Sequence, residues 1–273
     1  MNLYAVIGNP VVHSQSPRIH TAFGEQTNSA VDYRTIQAEP DSFPSTVRHF
    51  FAQGGKGMNV TVPFKQQACA MADSVTERAR KAGAVNTLWL EQGCLKGDTT
   101  DGIGLIRDLV GNHSVRLTAL RVLILGAGGA VRGLLEPLLL QKPQAVVVAN
   151  RTPARAEKLV ADFQGMGTIT ATGFGSLCGE YDLIINGTSA SLKGQVLPLS
   201  SELLAKNCVV YDMMYGGEVT PFNRWAGDAG AARTLDGLGM LVEQAAESFF
   251  IWHHKRPDTG TVLTDLRADL QQS

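Results

Sequence analysis

The chain has 273 residues, 44% of them hydrophobic and 18% charged, the balance of a soluble globular protein with room for one large core or two modest ones. A formal charge of −1 and the lack of a long basic run exclude a general attraction to nucleic acid or to an anionic membrane surface. No apolar stretch approaches the roughly 20 residues of a membrane span, and Met1-Asn2-Leu3-Tyr4 lacks the basic-then-apolar pattern of a signal peptide.

Strand-like and helix-like patterns alternate, which predicts an α/β protein with largely parallel sheets. In chain order the pattern gives a strand at 3–8, a helix at 17–26 with Ser16 as N-cap and Pro17 opening it, and a strand at 31–37. A helix at 41–52, a strand at 57–61 and helical segments within 63–82 follow, then short strands at 85–90 and 94–96. A helix at 101–110 leaves this first unit. Strands at 121–125, 145–149, 182–186 and 209–212 belong to a second, and helices at 238–254 and 264–271 end the chain. The expected organisation is 1–101, 102–236 and 237–273, the last returning to the first domain. Cys69, Cys94, Cys178 and Cys208 are scattered without a CxxC pair and are expected as buried free thiols in a reducing cytoplasm. The six histidines lack metal-ligand spacing, so no metal site is expected.

The most informative stretch is Val122-Leu123-Ile124-Leu125 running into Gly126-Ala127-Gly128-Gly129-Ala130. A buried strand opening through glycines onto a helix can bring backbone N–H groups and a helix N-terminus to a pyrophosphate; an ordinary tight strand–helix turn has the same look. Val131 stands where a third small residue is usual. One βα unit on, Asn150-Arg151-Thr152-Pro153-Ala154-Arg155 follows the next strand. No acid is present there to hold a ribose 2′-hydroxyl. Two arginines and a hydroxyl suit a 2′-phosphate, and a helix cap with two solvated arginines is the alternative. Together the two segments favour NADP over NAD.

Four polar clusters lie in the first half: His13-Ser14-Gln15-Ser16-Pro17, Asn59-Val60-Thr61-Val62-Pro63-Phe64-Lys65, Gly83-Ala84-Val85-Asn86-Thr87 and Gly97-Asp98-Thr99-Thr100-Asp101-Gly102. Asn59 and Thr61 share a face if their segment is a strand. Lys65 sits in the first turn of a helix, where a cation is unfavourable by about 0.3–1 kcal/mol. Capping and solvation explain each cluster singly. Together they offer hydroxyls, amides, an ammonium and a carboxylate, an inventory suited to a small polyhydroxy carboxylic acid.

Nearly end to end, the chain resembles the shikimate dehydrogenase family. The resemblance is carried by Gly8-Asn9-Pro10 and the four clusters, then by the GAGGA turn at 126–130 and Asn150-Arg151-Thr152. Asn186-Gly187-Thr188-Ser189, Tyr211-Asp212-Met213-Met214-Tyr215 and Asp236-Gly237-Leu238-Gly239-Met240-Leu241-Val242-Glu243-Gln244 complete it in the same order. It implies an N-terminal α/β substrate domain and a Rossmann-like, doubly wound NADP-binding domain with a substrate cleft between them. It further implies that Ser14 and Ser16 hold the substrate carboxylate, that Asn59, Thr61, Asn86, Tyr215 and Gln244 surround the ring hydroxyls, and that Lys65 and Asp101 form the catalytic pair. Gly126, Ala127, Gly128, Gly129 and Ala130 would wrap the pyrophosphate, with Asn150, Arg151, Thr152 and Arg155 on the adenosine phosphate side. Thr188, Met213 and Gly237 would line the nicotinamide region, and Glu77 would be a further cofactor contact.

The implied reaction is reversible reduction of 3-dehydroshikimate to shikimate by NADPH, in the route to chorismate and the aromatic amino acids. The implied setting is a cytoplasmic monomer or homodimer with a small-molecule substrate and no metal, nucleic acid or membrane. A quinate/shikimate dehydrogenase using NAD and a non-catalytic NADP-binding sensor are the alternatives. The chain departs from the family's pattern at Thr21, Thr99, Val131 and His253-His254-Lys255. Thr99 bears most on the loop that carries Asp101.

Overall fold

A computed structural model describes residues 2–188, 190 and 197–272. It divides into two compact units, Met1–Gly104 with Val242–Val262, and Leu105–Leu241 with Leu263–Ser273.

The first unit is built on a six-stranded sheet. Its strands are β1 (Asn2–Gly8), β2 (Val31–Gln37), β3 (Gly57–Val60), β4 (Ser74–Val75), β5 (Thr87–Glu91) and β6 (Cys94–Asp98), in the order β2-β1-β3-β5-β6-β4. β1 runs parallel to β2 and β3, whereas β5 is antiparallel to both β3 and β6. The sheet is therefore mixed, because Gln92 and Gly93, both at positive φ, turn β5 directly back into β6 without a crossover helix. Helix α1 (Ser16–Gln26) buries Ile19 and Phe23, α2 (Phe43–Ala52) buries Phe43, Val47, Phe50 and Phe51, and α3 (Lys65–Met71) and α4 (Glu77–Ala82) follow. The i, i+4 spacing of these apolar residues is what a one-faced helix requires.

Several local features depart from the sequence reading. Gln15, not Ser16, occupies the N-cap of α1, and Ser14 Oγ accepts the Ser16 N–H at 3.3 Å, so Ser14 takes the task expected of Ser16. β3 stops at Val60, leaving Thr61 beyond the strand. The span 63–82 contains the two-residue β4 between its helices.

α5 (Asp101–Arg107) leads out of this unit and widens into a π-type turn, Asp108–Asn112, closed by the His113 N–H on the Asp108 carbonyl at 3.0 Å. The second unit's sheet is wholly parallel. Its strands are β7 (Arg121–Leu125), β8 (Ala145–Asn150), β9 (Ile169–Gly173), β10 (Tyr181–Asn186), β11 (Leu204–Asp212) and β12 (Arg233–Asp236). They run β12-β11-β10-β7-β8-β9, the doubly wound order that reverses direction between β7 and β10. The apolar run of β7 is explained by burial on both faces: Val122 and Ile124 enter one core, Leu123 and Leu125 the other. Helix α6 (Gly129–Leu139) lays Val131, Leu134, Leu135, Leu138 and Leu139 on the first of these cores.

α7 (Pro153–Ala161) and α8 (Pro221–Asp228) complete the crossovers, and α9 (Leu238–His253) and α10 (Thr259–Gln272) end the described chain. β9, β12 and α8 are absent from the sequence reading, and α10 starts five residues earlier than expected (259 against 264). Of the four thiols, all free, only Cys208 is buried; Cys94 and Cys178 are exposed, which corrects the expectation that they are core groups. Among the described residues no helix is long and apolar enough to cross a membrane, and no group of three or more His, Cys, Asp or Glu is placed to hold a metal ion.

Candidate active site

In the first unit Lys65 is the opening residue of α3, and its Nζ lies 2.6 Å from Oδ2 of Asp101, the first residue of α5. That carboxylate answers the electrostatic cost of a cation at a helix N-terminus. The other oxygen, Oδ1, accepts from Asn86 Nδ2 at 3.0 Å. The Asn86 amide also reaches Thr100 Oγ1 at 2.9 Å and Gln244 Oε1 at 3.2 Å, while its own oxygen accepts the Thr100 N–H at 2.9 Å and the Thr87 hydroxyl at 2.8 Å. Lys65, Asn86, Asp101 and Gln244 thus form one connected cluster drawn from four segments. The Val85 N–H on the Lys65 carbonyl, 2.9 Å, ties α3 to the Asn86 loop.

Asn59 is buried, and its amide is engaged inside the protein. Its Oδ1 accepts from Tyr33 at 2.6 Å, and its Nδ2 donates to the Asn86 carbonyl at 3.2 Å and to Ser248 Oγ at 3.0 Å. Burial holds the Tyr33 phenol well above its ordinary pKa, so it stays a donor. Ser248, fully buried on α9, lies 2.8 Å from Thr87 Oγ1 and one helical turn from Gln244. Thr87 and Thr100 belong to the polar clusters of the sequence but receive no role of their own there, whereas Tyr33 and Ser248 stand outside every motif singled out in it.

The loop that delivers Asp101 is fixed from beneath. Asp98 accepts two bonds from Arg78, at 2.7 and 2.6 Å, one from the Thr76 hydroxyl at 2.5 Å and one from the Thr99 N–H at 2.7 Å. Thr99 itself is buried with a hydroxyl that finds no partner among the described residues. Glu77 is exposed and pairs with Lys81 one turn on, at 3.2 Å. Ser16 is buried, and Ser14 and Thr61 are half-buried in loops of the same unit.

In the second unit Gly126 follows β7 at φ +108°, a conformation suited to glycine, with its N–H on the Ala149 carbonyl at 2.7 Å. Gly128 stands at the N-cap of α6 with no side-chain cap, and a Cβ at Gly128 or Gly129 would meet nothing within 4 Å. The helix N-terminus therefore opens onto free space, with unclaimed N–H groups that fit a pyrophosphate. Ala127 and Ala130 flank it, both half-buried. Val131 is fully buried, and its Cγ2 occupies the place a Cβ on Gly187 would need. The bulk missing at position 187 accommodates the bulk added at 131.

Asn150 is half-buried at the end of β8 and donates to the Thr152 carbonyl at 2.9 Å. Arg151, Thr152 and Arg155 are exposed, Thr152 makes no side-chain cap, and neither arginine has an ion-pair partner among the described residues. Thr152 thus stands at the N-cap of α7 without a side-chain bond, and both guanidiniums face solvent. At the neighbouring strand ends, Asn186 Oδ1 accepts from the Thr188 N–H and hydroxyl at 3.0 and 2.8 Å, while its Nδ2 donates to Asp212 at 3.0 Å. Asp212 in turn receives the Met214 N–H at 3.1 Å and the Thr220 hydroxyl at 2.7 Å. Asn186 and Asp212, both fully buried, so hold the turns that carry Thr188 and Met213. A Cβ on Gly237 would strike the Met213 carbonyl, which places these two segments in contact. Ser189, the last residue of the Asn186 motif, lies outside the described residues.

Comparison with known proteins shows the family to which this fold belongs. Residues 6–88 match the family described as "Shikimate dehydrogenase substrate binding domain", 108–196 "Shikimate / quinate 5-dehydrogenase", and 237–266 "Shikimate 5'-dehydrogenase C-terminal domain". The shikimate dehydrogenase (NADP(+)) of Marinobacter nauticus is 56% identical over 272 residues, covering 98% of this chain and 99% of that protein. Among solved structures, an Ael1 enzyme from Pseudomonas putida is 43% identical with a TM-score of 0.93, covering 97% of this chain and 98% of its own. Shikimate 5-dehydrogenase of Thermus thermophilus, solved in complex with NADP(H) and shikimate, is 30% identical with a TM-score of 0.87, covering 99% and 100%. The chain belongs to the shikimate dehydrogenase family of NADP-dependent oxidoreductases.

Proposed function

We propose that this chain reduces 3-dehydroshikimate to shikimate with NADPH, reversibly, on the route to chorismate and the aromatic amino acids in the cytoplasm. The observation that carries the reading is the Lys65–Asp101–Asn86 cluster, with Lys65 Nζ 2.6 Å from Asp101 and Asn86 on the opposite carboxylate oxygen. Lys65 donates a hydrogen bond and the proton to the reacting ketone oxygen, and Asp101 orients both the ammonium and the substrate hydroxyl. Proton transfer of this kind contributes about 10²–10⁴-fold. Asn86 and Gln244 orient the neighbouring ring hydroxyls together with Thr61 and Tyr215, and Ser14 and Ser16 bind the carboxylate. Asn59, whose amide is engaged inside the protein, supports Asn86 from beneath.

The second unit is assigned to NADP. When bound, the cofactor supplies the hydride. The open α6 N-terminus takes the pyrophosphate, Arg151, Thr152 and Arg155 the 2′-phosphate, and Thr188, Met213 and Gly237 the nicotinamide end. Support comes from the unclaimed N–H groups, the unpaired guanidiniums and the Thermus relative's complex with NADP(H) and shikimate. The test is initial-rate oxidation of shikimate and of quinate, each with NADP and with NAD. Strong turnover restricted to shikimate with NADP is expected; comparable rates with quinate or NAD would move the protein to the broader quinate/shikimate activity.

A further inference from the structure

One ion pair of the second unit has no part in the roles assigned above. Arg267, on α10, grips Asp236 at the end of β12 through two parallel bonds, Nη1 to Oδ2 at 2.7 Å and Nη2 to Oδ1 at 2.5 Å. The same Nη1 donates to the Gly216 carbonyl at 3.3 Å. Asp236 Oδ1 also accepts the Leu238 N–H at 3.2 Å, at the start of α9. A guanidinium fork on a carboxylate fixes direction as well as distance, which a single point charge does not.

The groups around this fork bear on the reaction. Gly237, the next residue, donates its N–H to the Met214 carbonyl at 3.1 Å and lies against the Met213 carbonyl. Gly217 lies against the Leu270 carbonyl of α10, where a Cβ would collide. The segment 213–217 is therefore pressed by Gly237 at one end and by α10 at the other, where Arg267 also bonds the Gly216 carbonyl. Tyr215 lies in this segment, its phenol raised above the ordinary pKa by burial and by the Asp236 charge.

We propose that Arg267 is a positioning residue, which holds the 213–217 turn against Gly237 through its bidentate bridge to Asp236 and its bond to the Gly216 carbonyl. The proposal rests on the assignment of Met213 and Gly237 to the nicotinamide end and of Tyr215 to the substrate. Without the guanidinium, Asp236 loses two charge-assisted bonds and the turn loses its tie to α10. A shift of about 1 Å in such a segment costs on the order of 10²-fold in rate.

The experiment uses the full chain with Arg267→Ala, Arg267→Gln and Arg267→Lys, each also in a Tyr215→Phe background. Arg267→Ala is expected to lower kcat for shikimate oxidation by about 10–10²-fold, with NADP affinity unchanged because the glycine turn and Arg151 are untouched. With shikimate deuterated at the reacting carbon, the isotope effect on kcat rises as hydride transfer becomes slower. Arg267→Lys recovers part of the rate, and Arg267→Ala costs less in the Tyr215→Phe background. Should Arg267→Ala fail to fold, Arg267→Gln carries the same measurements. Hydrogen exchange of the 213–217 amides is expected to quicken in the variants while that of 126–130 stays constant. Wild-type kcat and isotope effect in a folded variant, or unchanged exchange at 213–217, would overturn the proposal. Wild-type protein inactive on shikimate with NADP would defeat the proposed function instead, and the exchange measurement would still decide the role of Arg267.

Discussion

Lys65 and Asn86 divide one carboxylate between them: Nζ of Lys65 stands 2.6 Å from Oδ2 of Asp101 and Nδ2 of Asn86 stands 3.0 Å from Oδ1. Each donor fixes the oxygen that the other leaves, so the ammonium is aimed by a group that cannot itself rotate freely. Lys65→Ala is expected to cut turnover by about 10²–10⁴-fold while NADPH still binds. Steady-state rates with a direct cofactor-binding titration check it, and undiminished turnover would end the assignment of Lys65.

Arg151 is exposed beside Thr152 at the start of α7 and pairs with no acid among the described residues. Arg151→Ala is expected to weaken NADPH by far more than NADH, because only the former carries a 2′-phosphate. Dissociation constants for both cofactors, in both proteins, give the answer. Equal losses would favour a role unrelated to the phosphate.

His20 is buried in the first unit, stacked on Tyr33 at 4.4 Å between ring centroids. Burial, with a smaller push from the charge of His253 and a weaker opposing pull from Asn59, lowers its pKa from 6.5 to about 3. Between those values the unfolded chain binds a proton that the folded chain refuses. Stability from this group is therefore complete above pH 6.5 and is lost as pH falls toward 3, at up to about 1.4 kcal/mol per pH unit. Urea unfolding of wild type and His20→Asn from about pH 7 down to about pH 4.5, inside that window, should show the shallower pH dependence in the variant. Identical slopes would mean that His20 is not held neutral.

Gly187 has no room for a methyl group, because Val131 fills that space and the Met213 sulfur is 3.2 Å from the Cβ position. Gly187→Ala is expected to destabilise by about 1–3 kcal/mol, the usual cost of overpacking. Val131→Ala in the same chain should recover part of that loss. Denaturant midpoints of the two single variants and the double variant form the required cycle, and simple additivity would separate the two residues.

The Thr99 hydroxyl is buried and unpaired among the described residues. Thr99→Val keeps the shape and removes the stranded group, and a gain of about 1 kcal/mol is expected from thermal or urea unfolding. A loss of stability would show that the hydroxyl is hydrogen-bonded in solution.

Legibility in the sequence followed the range of the interaction. The runs of β7 and β10 are read directly, since burial of a strand leaves an uninterrupted apolar stretch in neighbouring residues. The GAGGA turn is legible for the same local reason. β12, with Arg233 and Thr234 exposed, has no apolar run to announce it, and β4 is too short to carry a period. In the candidate site, the positions of Lys65, Asn86 and Asp101 were open to motif reading, but their supports were not. Tyr33 sits between Asp32 and Arg34 in a partly exposed strand, and Ser248 is one serine within a largely apolar helix. Both matter because of bonds to Asn59, which lies 26 and 189 residues away in sequence. Ser16 is not the cap because the helix starts one residue earlier than Pro17, which moves the N-cap to Gln15.

The two ends of the assigned cofactor site differ in their exposure to the medium. Arg151 and Arg155 stand in open solvent, whereas Asn186 and Asp212, which hold the turns at the other end, are sealed inside the sheet. Counter-ions reach the first pair and not the second, and the range of the arginines' field shortens to about 8 Å at physiological ionic strength. Ionic strength would thus act as a dial on cofactor capture alone: rising salt loosens the hold on the phosphate, while the alignment of the reactive end, built from buried neutral and charged hydrogen bonds, stays as it was.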